Sequence, residues 1–493
     1  MTTKLTSIVC ASVVAVFLGA VDCHAKSLDA GFLFDEFPLV LSPGERTEFL
    51  GPLFHDQQKE TEHTFGMSPV FCRVNDPDLD YTEFDFLYPI MTYDRYGREY
   101  RWQFLQLINT SGGQNQDEIE RKRFTIFPLY FQQRSPDSNA NYTAVVPFYG
   151  HLKNRFTGFM RDEAFFVMFP VYLQTKKRDV VTDNYLYPIF HVRRGDSLRG
   201  WQFWPLYGQE HKGITTRTNG FGDVEIIGAH DKYFALWPIY FNQRTGIGTG
   251  DARTNHVLLP FYSIERSPKR DSTCVIWPLF NYVDNREKGF TEWQTPWPFI
   301  VFARGEGKHT SRVWPFYSHA SNSNRVSSFY MWPIYKYNRL QAGALDRERT
   351  RILFFLYSDV VEKNTETRNE KTRVDFWPLF THKKEFDGRT RLQILAPLEP
   401  ILPNNKSIER NYSPLWSIWR AEKNPATGDA SQSFLWNLYR RETGNDRKKC
   451  SLLFGLFQYQ SQAGGRKLRL FYIPLMNTLG RGEMKPENSV SNQ

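Results

Sequence analysis

Residues 312–335 read RVWPFYSHASNSNRVSSFYMWPIY. A polar tetrad, Ser321-Asn322-Ser323-Asn324, sits at the centre. Ser and Asn bend a chain by bonding their own backbone, so this is a turn. The flanks, Phe316 to Ala320 and Arg325 to Trp332, are rich in aromatic and β-branched residues and read as strand. Trp-Pro closes the unit at both ends, at Trp314-Pro315 and Trp332-Pro333.

The same signature recurs outward in both directions. Firm copies stand at Trp204-Pro205, Trp237-Pro238, Trp277-Pro278 and Trp377-Pro378. Looser ones stand at Tyr88-Pro89, Phe127-Pro128, Phe169-Pro170, Tyr187-Pro188, Leu259-Pro260 and Trp297-Pro298. Degenerate centres at Gln106, Phe355, Asn437 and Gly455 complete a ruler of 22 centres from Pro52 to Pro474. Steps run from 17 to 23 residues, apart from one of 33 between Pro205 and Pro238. A single unit in tandem sets the architecture. A propeller blade takes about 40–45 residues, and four of these steps take about twice that. One strand and one turn per step predicts strands of about 12–14 residues, long against the usual mode of about 5–6. The expectation is an all-β fold: an antiparallel meander of about 22 strands, closed or curled into a large barrel because long exposed edges invite aggregation.

At mid-height the unit is apolar on both faces. Val275, Trp277 and Leu279 alternate with Ile276, Pro278 and Phe280. Each face should therefore meet lipid, another layer or a packed lumen, and Trp277 and Trp332 are expected to be buried. Proline cannot donate to a ladder. Its recurrence at one height implies a ring of kinks or bulges; the plainer alternative is that it ends short strands.

Residues 1–25 have the form of a secretory signal: Lys4, an apolar run from Ile8 to Val21, and the small-x-small site Cys23-His24-Ala25. The expected organisation is a signal peptide (1–25), one repeat-built β domain (26–479) and a polar tail (480–493). No later run of 18 apolar residues suits a transmembrane helix. The cysteines beyond the signal, Cys72, Cys274 and Cys450, have neither disulfide-framework nor zinc spacing. The net charge of +9 is spread over turns and strand ends, densest at Lys176-Lys177-Arg178 and Arg447-Lys448-Lys449. Such a field favours membrane lipid, lipopolysaccharide or anionic glycan over nucleic acid.

Motifs that carry chemistry are sparse. Asp76, Asp78, Asp80 and Glu83 form the densest acidic cluster and the only weak calcium candidate; the glycine of an EF-hand loop is missing. Gly246-Ile247-Gly248-Thr249-Gly250 precedes no helix and reads as a hairpin tip, not a phosphate cradle. No nucleophile elbow, HExxH or Walker pattern is present, so neither enzyme activity nor a cofactor is expected.

The pattern from about residue 50 to 475 resembles bacterial envelope proteins rich in Trp-Pro-Leu-Tyr/Phe repeats, a resemblance that implies architecture and brings no activity to any residue. The leading functional expectation is an exported outer-membrane β-barrel with a structural or transport role. The alternative is a soluble periplasmic or surface β-repeat protein that binds glycan or lipid. A secreted hydrolase has no specific support. Mid-strand Trp and Pro speak against the barrel, because barrels keep aromatics in girdles at the interfaces.

Overall fold

The repeat folds as hairpins. In the stretch quoted above, Tyr317–Ser321, Arg325–Tyr330 and Tyr335–Ala342 are three successive strands. The polar tetrad turns the chain at one end, and Met331-Trp332-Pro333-Ile334 turns it at the other. The computed structural model describes residues 31–114, 120–153, 162–218, 222–445, 447–462 and 465–479. The signal peptide expected at 1–25 and the tail at 480–493 lie outside the described residues.

Each step therefore holds two strands and two turns. The described residues form 45 strands of four to eight residues, 43 of them in one antiparallel sheet in which each strand pairs with the next. This corrects the expectation of about 22 strands of 12–14 residues. The Trp-Pro pairs are not at mid-strand; they are the turns. The aromatic and β-branched residues around them satisfy strand and turn propensity equally, and proline's missing donor decides between the two.

Proline takes the same place each time. The Trp332–Pro333 bond is cis, and Ile334 N donates to Met331 O at 2.7 Å. This is a turn with cis-proline at its third position. The bonds before Pro89, Pro128, Pro170, Pro205, Pro238, Pro278, Pro315 and Pro378 are also cis. Where proline is missing, two consecutive left-handed residues substitute. Leu105 and Gln106 (φ 47° and 58°) close the turn from Phe104 to Leu107, as in the tight mirror-image turns of hairpins.

Two steps depart from the pattern. The 33-residue step between Pro205 and Pro238 contains a separate hairpin, Thr215–Thr218 with Val224–Ile227, in the polar connection between Tyr207–Lys212 and Ala229–Ala235. Pro397 and Pro414 fall in one connection, between the paired strands Thr390–Ile394 and Trp419–Lys423. That connection carries two short helices, α1 (Lys406–Asn411) and α2 (Ser413–Trp416). Asn405 caps α1, accepting from Ile408 N at 3.0 Å.

The ribbon curls until its two ends meet. Phe37, on the first strand (Phe34–Pro38), lies 3.4 Å from the Arg440 guanidinium. Asn437 Nδ2 donates to Asp35 at 3.2 Å and to Glu48 at 3.1 Å. Phe32 stacks on Trp436 at 6.4 Å and meets Phe454 edge-on at 5.1 Å. A Cβ on Gly31 (φ +62°) would lie 1.3 Å from the carbonyl oxygen of Phe454, so only glycine fits this approach. The ends meet by side chains and loops: among the described residues Phe34–Pro38 pairs only with Gly44–Phe49, and Ile473–Leu479 only with Gly465–Leu470.

The apolar interior is local. Phe131, Tyr142, Ala144, Leu152, Ala164, Phe166 and Leu173 form one buried cluster. Elsewhere polar side chains are buried along the strands, among them His55, Asp85, Thr310, Ser318, Ser358, Asp375 and Gln393.

Candidate functional site

Polar and apolar turns alternate, so every apolar turn falls on the same edge of the ribbon. From Leu105 to Phe471 that edge exposes Phe127, Leu129, Leu186, Leu236, Trp237, Ile239, Ile276, Trp277, Trp314, Phe316, Met331, Trp332 and Ile334, with their counterparts in other turns. Trp277 is 47% exposed and Trp332 41%, which overturns the expectation that both are buried. A contiguous apolar surface of this extent is unusual for a soluble monomer, whose largest patch is about 300–600 Å².

The edge is ordered by its own contacts. Rings of neighbouring turns touch: Trp204 and Trp237 at 5.5 Å, Phe299 and Trp314 at 5.6 Å, Trp314 and Trp332 at 6.0 Å, Phe355 and Trp377 at 5.5 Å. The backbone is tied across the same turns. Trp237 N donates to Pro205 O at 2.6 Å, Trp277 N to Pro260 O at 2.8 Å, and Trp332 N to Pro315 O at 2.7 Å. These amides are satisfied within the protein, so a low-dielectric medium does not penalise them. Pro205, Pro238, Pro278, Pro315, Pro333 and Pro378 share this edge as the turn residues that lack a donor.

The opposite edge is mostly polar, apart from the exposed Ile214, Val224 and Ile226 in the connection that carries the extra hairpin. Its turns include Asp196-Ser197, Asn322-Ser323-Asn324 and Asp387-Gly388-Arg389. The sequence places charge in turns and strand ends without showing that these gather on one edge. Recognising Trp-Pro as a turn would have revealed it.

A second candidate lies where the ends meet. A cavity of about 480 Å³ opens between the first strands, the helical connection and the strands up to residue 440. Nine cationic side chains and five carboxylates line it, a net charge of +4. The carboxylates are largely engaged. Glu48 accepts from Arg46 at 2.8 Å and Asn437 at 3.1 Å, Glu422 from Arg391 at 2.9 Å, and Glu385 pairs with Lys371 at 2.8 Å. Glu409 accepts from Lys383 and from Arg391. Arg420 is left over. Its Nε is buried without a hydrogen-bond partner, and so is Arg46 Nη2. Burial, with Arg391 close by, pulls the Arg420 guanidinium down to about 10, still cationic at neutral pH.

The helices tie the ends through a third cluster. Arg410 and the Ser407 hydroxyl (3.1 Å) both donate to Glu83 Oε1, and Asn411 Nδ2 donates to Asp85 at 3.1 Å. Burial raises the Glu83 carboxyl, but Arg410 and the Tyr81 and Ser407 hydroxyls outweigh it and hold it below its ordinary value. Asp85 rises to about 6 through burial and the neighbouring Glu83. His55 is buried with both ring nitrogens unpartnered; burial, then Arg46 and Arg410, lower it to about 3.

The calcium candidates separate into different roles. Asp76 Oδ1 accepts from Thr61 at 3.0 Å and from the Asp78 amide at 3.2 Å, which shapes the turn. Asp78 and Asp80 are exposed, Asp80 near Arg95. Glu83 belongs to the Arg410 cluster. Among the described residues no three His, Cys, Asp or Glu side chains are arranged to hold a metal ion. Gly246 and Ile247 end the strand Tyr240–Ile247, and Gly248–Gly250 lie in the turn before Arg253–Leu258. No family model matches the chain, and neither does any curated protein.

Proposed function

We propose that this chain is an exported cell-envelope protein that seats its Trp-Pro edge in the interface of a lipid layer and exposes its charged edge to water. The role is binding and structural, not catalytic. One observation carries the reading: a continuous apolar edge whose backbone amides are already hydrogen-bonded turn to turn. Tryptophan and tyrosine suit the headgroup level, where one end of the ring is apolar and the other wet. Insertion of about 5–10 Å is typical of surface-bound elements, and one turn with its flanking strand residues supplies that depth. The alternative expected from sequence, a surface β-repeat protein that binds lipid, is thus the better supported one.

The outer-membrane barrel makes different demands. A transmembrane strand takes about 9–11 residues, whereas these have four to eight. A barrel also needs its first and last strands to pair, and these ends meet through side chains. Membrane fractionation separates the two readings. Edge-seated protein floats with vesicles and is released by carbonate, whereas a barrel resists carbonate and migrates differently in gels before and after boiling. Replacing Trp237, Trp277 and Trp332 by Ser should leave folding intact and weaken vesicle binding about a hundredfold, from about 1 kcal/mol per half-exposed ring. Unchanged binding would defeat the edge reading.

A further inference from the structure

We propose that the cavity between the two ends of the ribbon binds a phosphate-bearing anion, held by Arg420. Most guanidinium groups of the lining are matched: Arg46 by Glu48, Arg391 by Glu422, Arg389 by Asp387, Arg410 by Glu83 and Arg440 by Glu442. Arg420 makes no hydrogen bond or ion pair among the described residues, and its Nε is shut away from solvent. The residue is half-buried, and Glu422 and Glu48 compensate its charge only in part, so an added anion would stabilise it further. Glu422 is the carboxylate two residues along the same strand, but Arg391 occupies it at 2.9 Å.

The donor set indicates the kind of anion. Guanidinium forks match a tetrahedral oxyanion with two parallel N–H bonds. At 480 Å³ the cavity accommodates more than a bare ion, within the ordinary range for small-ligand sites of about 300–1,000 Å³. Pro52, Leu435 and Trp436 line its wall on the side of the apolar turns. The phosphate can thus belong to a lipid headgroup, with its chains leaving along that edge, or to a free phosphate ester. Unlike the scattered basic turns, this site has defined walls, and it stands whether or not the edge seats in lipid.

The test uses the whole mature chain with inorganic phosphate, glycerol 3-phosphate and short-chain phosphatidic acid as probes, each followed by calorimetry and thermal melting. The wild type should bind at least one probe and melt higher in its presence. Arg420→Gln should weaken binding about tenfold or more, the scale of one lost charge-assisted contact. Without ligand it should melt no lower than the wild type, because a charge compensated only in part has gone. Arg420→Lys guards against misfolding: it keeps the charge, loses the fork, and should bind less tightly. The exposed Arg325→Gln serves as control and should bind like the wild type. Binding of free phosphate assigns a soluble ester; binding of phosphatidic acid alone assigns a lipid headgroup; both support the site. If no probe binds, or all four proteins respond alike, the proposal is overturned.

Discussion

His55 and Asp85 are buried a few strands apart and respond to acid in opposite directions. Unfolded, His55 titrates near 6.5; folded, it is lowered to about 3. The unfolded chain therefore binds the extra proton first, and the stability due to His55 is lost as pH falls from 6.5 towards 3. Asp85 is raised to about 6 against an ordinary value near 3.8. Here the folded chain takes up the proton first, and stability is gained as pH falls through 6 towards 3.8. Between pH 7 and 5, His55→Gln should thus improve relative to wild type by about 2 kcal/mol, and Asp85→Asn should worsen by about 1 kcal/mol. Denaturant titrations at the two pH values measure both. A pH-independent difference for either variant would refute its assignment. At the same scale, Trp277→Ala should cost only about 1 kcal/mol, since the ring is half exposed, well short of the 3–5 kcal/mol of a buried aromatic.

The helical connection acts at the scale of elements. α1 is six residues long and too short to persist alone; its stability comes from what it touches. Arg410 compensates Glu83, which lies 327 residues away in sequence. Removing it as Arg410→Ala should destabilise the fold by about 3–5 kcal/mol, because a buried carboxylate loses its partner. Adding Glu83→Gln should recover much of that loss, and equal losses in the single and double variants would deny the coupling. Sequence showed little of this. Ser407, Arg410 and Asn411 form no recognisable motif, and their partners are set by the curl of the whole sheet. The β class, the antiparallel meander and the repeat ruler were legible, because Trp-Pro centres and polar tetrads are local signals. The strand count differs from expectation for a local reason too. Val275 to Phe280 looks like the middle of one long strand, yet Ile276 adopts a left-handed backbone (φ 49°) and Pro278 turns the chain. The exposure of Trp277 and Trp332 follows from the same turn.

At the scale of the molecule, nearly every strand contact is with the next strand, so stability should resemble that of a linear array. The meeting of the ends is the exception. Gly31→Ala should disrupt it, because the new methyl would collide with the Phe454 carbonyl, at about 1–3 kcal/mol. Hydrogen exchange should then rise at residues 31–59 and 373–455 while the amides around Phe131–Leu173 stay protected. Uniform protection would show that the ends are not coupled.

The alternation of turns also imposes a rule of parity. Adding or losing one strand would reverse the chain's direction for everything that follows. Every later Trp-Pro turn would then emerge on the wet side, mixing the two edges. Such a chain can grow or shrink only by whole hairpins, in quanta of one 17–23-residue step. The extra hairpin at Thr215–Ile227 obeys this rule: it adds two strands, stays out of the main ladder and leaves the direction of Ala229–Ala235 unchanged. Replacing it with a two-residue turn should leave the fold and the vesicle-binding edge in place, whereas excising a single strand such as Arg325–Tyr330 should scramble both. Duplication of this gene segment would then add strands in even numbers, and homologues of different length should differ by whole Trp-Pro units.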